Sequence, residues 1–202
     1  MKKLSTIAAV AALAALAVCS TAAASPLKNY NPGAVGVSVG GNIPTSMYFS
    51  DYSTHGKSSS WYGDATLGLG HNTALNYRYN LYKTKDSSKV KFQQTNLMYK
   101  VLPVLSAYAG YVNTTADVDG RSKSTNSGQI GLQARVDLPL LFTVWGRAGV
   151  GNKLNTMEIG VSKPLLNNLE VDLSYYDNKF KKLSQGGSAT TRGINAGLTL
   201  KF

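Results

Sequence analysis

The sequence predicts an all-β chain: a transmembrane antiparallel up-and-down β-barrel of about ten strands, with eight and twelve strands as the alternatives. Three observations predict it. First, residues 34–202 divide into short segments in which apolar and polar side chains alternate, the period-2 signature of a strand with one apolar face. Turn signals rich in Gly, Pro, Asn and Ser separate them. Second, beyond an apolar start, no run is long enough to cross a bilayer as a helix, and a closed barrel is the other backbone that pairs its polar groups inside lipid. Third, the connections alternate long and short, with one exception at 151–155, as in barrels with short turns on one side of the membrane and long loops on the other.

The segments follow in order. Ala34 to Gly40 puts Val35, Val37 and Val39 on one face, and Gly41 to Ser60 reads as a long loop. Trp61 to Gly70 sets Ala65, Leu67 and Leu69 against Asp64, Thr66 and Gly68, and His71-Asn72-Thr73 turns it. Ala74 to Lys83 sets Leu75, Tyr77 and Tyr79 against Asn76, Arg78 and Asn80, before a charged loop from Thr84 to Val90. Lys91 to Val101 carries Thr95, Leu97 and Tyr99 on one face, and Leu102-Pro103-Val104 turns it. Leu105 to Asn113 carries Leu105, Ala107, Ala109 and Tyr111, and Thr114 to Asn126 reads as a polar loop. Ser127 to Leu138 alternates most cleanly, with Ile130, Leu132, Ala134 and Val136 against Gln129, Gln133, Arg135 and Asp137. Leu141 to Val150 sets Phe142, Val144 and Ala148 against Thr143, Trp145 and Arg147. Thr156 to Lys163 and Leu169 to Asp177 alternate likewise, with Glu158, Glu170 and Asp172 on their polar faces, before a basic loop from Asn178 to Thr190. Proline recurs in three short turns, at Pro103, Pro139 and Pro164, where the missing N–H costs no ladder bond. A soluble β-sandwich would share the alternation, and it is the competing fold.

The start of the chain reads as a secretory signal peptide. Lys2 and Lys3 form a charged n-region, Leu4 to Val18 an apolar core, and Ala22-Ala23-Ala24 a small-x-small cleavage site. Cleavage after Ala24 leaves a mature domain of 25–202 and removes Cys19, the chain's single cysteine, which excludes a disulfide framework. The competing reading acylates Cys19 after Leu16-Ala17-Val18, where Val18 is larger than that cleavage site favours.

The last stretch, Thr191 to Phe202, puts Ile194, Ala196, Leu198, Leu200 and Phe202 on one face and ends on an aromatic. Its pattern of polar Asn195, Gly197, apolar Leu200 and terminal Phe202 resembles the C-terminal strand of bacterial outer-membrane β-barrel proteins. In pattern, the whole mature chain resembles the small OmpA- and OmpX-type barrels and small porins. The resemblance implies an outer-membrane location in a diderm bacterium and contact with outer-membrane lipid and lipopolysaccharide. It also implies insertion by the barrel-assembly machinery through Asn195, Gly197, Leu200 and Phe202.

In a barrel, the polar face turns to the lumen. Asp64, Arg78, Arg135, Arg147, Glu158, Glu170 and Asp172 are then a lumen-facing charged network, close to neutral in sum. Such charges must be paired or wet, and the two readings are a structural network and a selective pore lining. Trp145 on the same face would narrow any water path. Aromatic belts are expected at both interfaces, from Trp61, Tyr62, Phe92, Tyr111 and Tyr175 at the loop end and Tyr99, Phe142 and Phe202 at the turn end. The chain's formal charge is +11, with lysines 83, 85, 89 and 91 in one loop region and 179, 181 and 182 in another. Basic rims attract anions, first of all lipopolysaccharide phosphates. No nucleic-acid motif accompanies the charge.

Catalytic signals are sparse. The two histidines are His55, in the first loop near Asp51 and Ser58 to Ser60, and His71, in a short turn. Neither spacing defines a catalytic set, so the chain reads as no enzyme. No Cys or His cluster has metal-ligand spacing, and no cofactor is expected. The sequence favours a small porin or passive channel. The alternative is a structural or adhesive barrel acting through its extracellular loops, with a lipid-modifying enzyme or protease a distant third.

Overall fold

The computed structural model describes residues 25–49, 58–85, 88–118, 120–139, 142–183 and 187–202. The signal peptide with Cys19, and Asp51 and His55, lie outside the described residues. Ten strands form in chain order: β1 (Val35–Phe49), β2 (Ser60–Gly70), β3 (Thr73–Lys83), β4 (Lys89–Leu102), β5 (Leu105–Val118), β6 (Arg121–Leu138), β7 (Phe142–Gly151), β8 (Leu154–Leu166), β9 (Leu169–Phe180) and β10 (Ala189–Lys201). Each pairs antiparallel with its sequence neighbours, and β1 pairs with β10, so the sheet closes into a barrel. The closing seam runs from Gly36↔Lys201 to Phe49↔Ala189. It is extended by Val35 and Phe202, which exchange main-chain hydrogen bonds of 2.9 and 2.8 Å. Closure removes the sheet edge that neither water nor lipid could satisfy over the spanning height.

The turns explain themselves locally. His71 and Asn72 take φ of 50° and 62°, the left-handed pair of a two-residue hairpin whose twist matches its strands. At β5–β6, Gly120 supplies a φ of 73° that a side chain would resist.

The outer surface decides the environment. Ile130, Leu132, Ile159 and Leu173 are each more than half exposed on the barrel's outside. Inside, Asp64, Arg78, Glu158 and Asp172 are buried. A water-soluble barrel has the reverse polarity; an unbroken apolar band of this extent exceeds what soluble monomers expose. The band faces lipid, and the soluble β-sandwich gives way to a single closed sheet that no second layer covers among the described residues.

The alternation reverses phase along the strands, and the reversal marks where lipid ends. On β5 the outward residues run Leu105, Ala107, Ala109, Tyr111, then Asn113, Thr115, Asp117; the inward ones change from Ser106 to Val112, Ala116 and Val118. On β4 the outward Tyr99, Leu97 and Thr95 give way to Gln93, Lys91 and Lys89, while Asn96 and Gln94 inside give way to Phe92 and Val90. β9 does the same, with outward Tyr175 followed by Asp177 and Lys179, and inward Tyr176 and Phe180 on either side of Asn178. Above the bilayer the outside meets water, so polar residues move out and apolar ones fill the interior. The strands are long enough for this: 18 residues in β6 make about 60 Å of strand, or about 45 Å of height at a tilt of about 40°.

This collar corrects several sequence expectations. β1 runs on to Phe49 rather than ending at Gly40, and the polar loop expected from Thr114 to Asn126 is a tight hairpin with strand on both sides of Gly120. Tyr62 and Phe92 do not join the aromatic belt. They point inward and are almost fully buried, because they share strand parity with Asp64 and Gln94. Trp61, Tyr111 and Tyr175 do face outward at that level, joined by Tyr77, while Tyr99, Phe142 and Phe202 face outward at the turn end. Trp61 stacks on Tyr79 with ring centroids 4.7 Å apart.

Candidate functional site

Asp64, Arg78, Arg147, Glu158, Glu170 and Asp172 are buried and Arg135 is half-buried, and they form two separate groups. The central group sits at mid-height. Arg78 on β3 donates from Nε to Asp64 on β2 at 2.8 Å, its register partner. Its Nη1 reaches across the lumen to Glu158 on β8. Arg147 on β7 is the register partner of Glu158, yet it turns away from it. It lies 3.7 Å from Asp64, donates to Asn76 Oδ1 at 3.0 Å and covers the Tyr108 ring at 4.6 Å. Glu158 also accepts from Ser174 at 2.7 Å and Asn195 at 2.8 Å. The two arginines and two carboxylates neutralise one another, and the Arg78–Glu158 contact ties opposite walls together. Amides extend the network: Asn76 donates to Asp64 at 2.9 Å, Asn96 to Asn76 at 3.2 Å, and Gln94 to Gln129 at 3.1 Å. Each of these four buried charges therefore has both a countercharge and a hydrogen bond, the condition under which burial is tolerated.

The second group lies near the turn end and holds something the sequence analysis missed. Residues 25–34 run into this mouth as a strap. Lys201 donates to Glu170 at 2.7 Å, and Arg135 lies 2.9 Å from Asp137 and 3.8 Å from Glu170. Lys201 and Arg135 also donate to Ser25 Oγ, at 3.0 and 3.2 Å. Thr199 donates to Asp172 at 2.5 Å and accepts from the Ser25 N–H at 3.4 Å. Further along, Leu27 and Tyr30 pack against Ala74, Met98 and Tyr108. Tyr30 donates to Ser106 at 3.0 Å, and its carbonyl accepts from Gly70 N–H at 2.9 Å. Gly68 lets the strap pass: a Cβ there would lie 2.3 Å from the Asn31 carbonyl oxygen.

Above the central group the lumen is apolar. Phe49, Tyr82, Val90, Phe92, Val112 and Phe180 belong to one buried cluster at the loop end, with Phe92 and Phe180 edge to face at 5.1 Å. Trp145 fills the wall side below, donating to Ser162 at 2.9 Å. It lies so close to Gly160 that a Cβ there would fall 2.6 Å from the ring. Among the described residues, the space left between Arg78, Gln94, Glu158 and Asn178 is about 10 Å³, room for about one water.

The remaining candidates do not converge. Asn195 and Gly197 face the lumen, whereas Leu200 and Phe202 face lipid, with Phe202 the most exposed of them. His71 is exposed in its turn, and Ser60 caps the Leu81 carbonyl. Among the described residues, no group of three or more His, Cys, Asp or Glu could hold a metal ion. The strap's signal was readable in one respect: Pro26, Leu27 and Tyr30 are apolar in a stretch without the alternation of a strand.

No protein-family model matches the chain, and no curated protein matches it. Solved structures do. Neisserial surface protein A shares 16% identity at a TM-score of 0.44, over 84% of this chain and 96% of that one. The outer membrane protein AlkL, solved in DMPC lipid bilayers, shares 14% at 0.41, over 88% and 94%. Ail, the attachment invasion locus protein of Yersinia pestis, shares 14% at 0.37, over 84% and 99%. At these values the likeness is one of fold alone. By its own geometry the chain is a closed ten-stranded membrane barrel, and the solved structures similar to it are small outer-membrane β-barrels.

Proposed function

We propose that this chain is an outer-membrane protein that acts through its outer collar, on a barrel whose lumen is sealed. The observation that carries the reading is the filling of the lumen at three heights: the 25–34 strap, the Arg78–Glu158 strut and the apolar cluster around Phe92 and Phe180. A passive channel for small solutes, the reading the sequence favoured, would need all three displaced. A sealed barrel instead serves as a rigid base. It is anchored in lipid by its band and girdles, and it holds the β5–β6 hairpin and the β9–β10 connection above the surface.

The same reading assigns the neighbouring roles. Export uses the 1–24 signal peptide, and insertion uses the β10 end with Phe202 on the lipid face. Lys89, Lys91, Lys179 and Arg192 face outward just above the aromatic girdle, the height at which lipopolysaccharide phosphates lie; there they take up anionic headgroups. No cofactor or catalytic step enters. Planar-bilayer recording tests the central point. The folded protein should insert without producing steady ohmic steps. Reproducible steps of one size would return the assignment to a channel.

A further inference from the structure

The collar is uneven beside β7 and β8. β7 and β8 are joined by a short turn over Asn152 and Lys153, and the β6–β7 ladder stops at Gln129↔Gly151. β6 continues upward to Arg121, paired on its other side with β5 as far as Val118↔Arg121. The stretch Arg121–Ser127 is therefore an edge strand above the membrane, seven residues or about 23 Å long. The Arg135 N–H points to β5, where it donates to the Val104 carbonyl, and β6 has no register shift along its pairing with β5. By alternation the main-chain groups of Ser122, Ser124 and Asn126 point away from β5, into the notch over the β7–β8 turn. Among the described residues they make no main-chain hydrogen bond there. The contacts across the notch come from side chains: Thr125 Oγ1 donates to the Lys182 carbonyl at 3.1 Å, and Ser127 Oγ to Asn152 Oδ1 at 2.5 Å.

The notch is strongly basic. Lys123, Lys153, Lys179, Lys181 and Lys182 lie on the segments that border it, 120–128, 150–155 and 178–183, which contain no carboxylate. Of the neighbouring aspartates, Asp177 pairs with Arg192 at 2.8 Å and Asp117 with Lys89 at 3.3 Å, and Asp119 lies outside the described residues.

We propose that the Arg121–Ser127 edge of β6 docks an extended acidic peptide segment of a partner protein, which adds to the sheet as a further strand. An unpaired edge supplies the alternating donors and acceptors that strand addition uses. The lysines select the partner's sign. They also oppose pairing of two copies of this chain, which would bring basic residues together. The inference rests on the outward-acting function proposed above and names its class of partner.

The probe is an acetylated, amidated eight-residue peptide alternating threonine and glutamate, labelled and titrated against the barrel folded in detergent micelles. Saturable binding is expected, with slowed amide exchange at Ser122, Ser124 and Asn126. Ser124→Pro removes one donor aimed at the notch while sparing the β5 ladder, a position where an edge strand accepts proline. It should weaken binding about tenfold, as one or two lost hydrogen bonds imply. The same peptide N-methylated at alternate residues keeps its charge and loses its ladder; it should weaken at least as much, and this arm needs no protein variant. Absence of saturable binding, or equal binding of the methylated peptide, overturns the proposal. Binding of a sulfated oligosaccharide that competes with the peptide and ignores Ser124→Pro also overturns it, since charge alone would then explain the surface. Channel activity is a separate outcome: a conducting barrel that binds the peptide through this edge would sink the sealed-lumen reading and leave this one standing.

Discussion

Replacing Arg78 with methionine should show how much the barrel depends on its central strut. Arg78 is buried and pairs with Asp64 at 2.8 Å and with Glu158 on the far wall. Removing one partner of a buried pair costs about 3–5 kcal/mol, because the remaining charge is left uncompensated. Here the cost falls mainly on Glu158. Asp64 keeps Arg147 at 3.7 Å and Asn76 at 2.9 Å, whereas Glu158 keeps only neutral donors, Ser174 and Asn195. The expected loss is therefore near the lower end, about 3 kcal/mol. Arg78→Met with Glu158→Gln removes the stranded charge and should recover more than half of it. Urea unfolding in detergent micelles, followed through tryptophan fluorescence, measures both. The reasoning fails if the single substitution costs less than about 1 kcal/mol, the range of an exposed pair, or if the double variant is no more stable than the single.

Other consequences are as direct. Gly160→Val drives a side chain into Trp145, since the Cβ alone would lie 2.6 Å from the ring; overpacking of this kind costs about 1–3 kcal/mol, read as a lowered unfolding midpoint. Tyr30→Ala removes the strap's buried anchor. Trypsin should then cut after Lys28 while the barrel strands stay protected; an uncut strap would show that its polar contacts suffice. At the collar, a hydrogen bond from Ser122 and, against the opposing effect of burial, the Lys89 ammonium hold the Asp117 carboxyl below its usual range. Its folded value being depressed, its stabilisation is present above the unfolded carboxylate pKa of about 4 and is lost as pH falls through the folded value. Amide protection at the β5–β6 hairpin should drop on acidification in the parent and stay flat in Asp117→Asn.

What the sequence made legible follows from which physical pattern held along a strand. Within the bilayer the rule is constant, apolar out and polar in. Ile130 to Leu138 and Leu169 to Tyr175 therefore announced both their strands and their facing, and Asp64, Arg78 and Glu158 were placed in the lumen by parity alone. Above the bilayer the rule inverts. Across Tyr111 and Asn113 the apolar set changes face, so Thr114 to Asn126 carries a loop's composition although it forms strand on both sides of the hairpin. Tyr62 and Phe92 were misplaced for a different reason. Their height suggested a girdle, but their parity with Asp64 and Gln94 already pointed them inward. The division of the charged network into two groups was not legible, because it depends on which strands face one another across the barrel. Arg147 illustrates this: its neighbour in register is Glu158, and its partner is Asp64. The strap left no periodic signal, since a segment held by Ser25, Leu27 and Tyr30 at irregular intervals has none.

The barrel is inside-out, apolar toward lipid and polar within, and the two tryptophans test that directly. Trp61 is half exposed on the outer face and Trp145 is buried in the lumen. With the protein folded into vesicles containing brominated lipid, Trp145→Phe, which retains Trp61, should show strongly quenched fluorescence. Trp61→Phe, which retains Trp145, should show little quenching. Equal quenching of both, or quenching of Trp145 alone, would contradict the account.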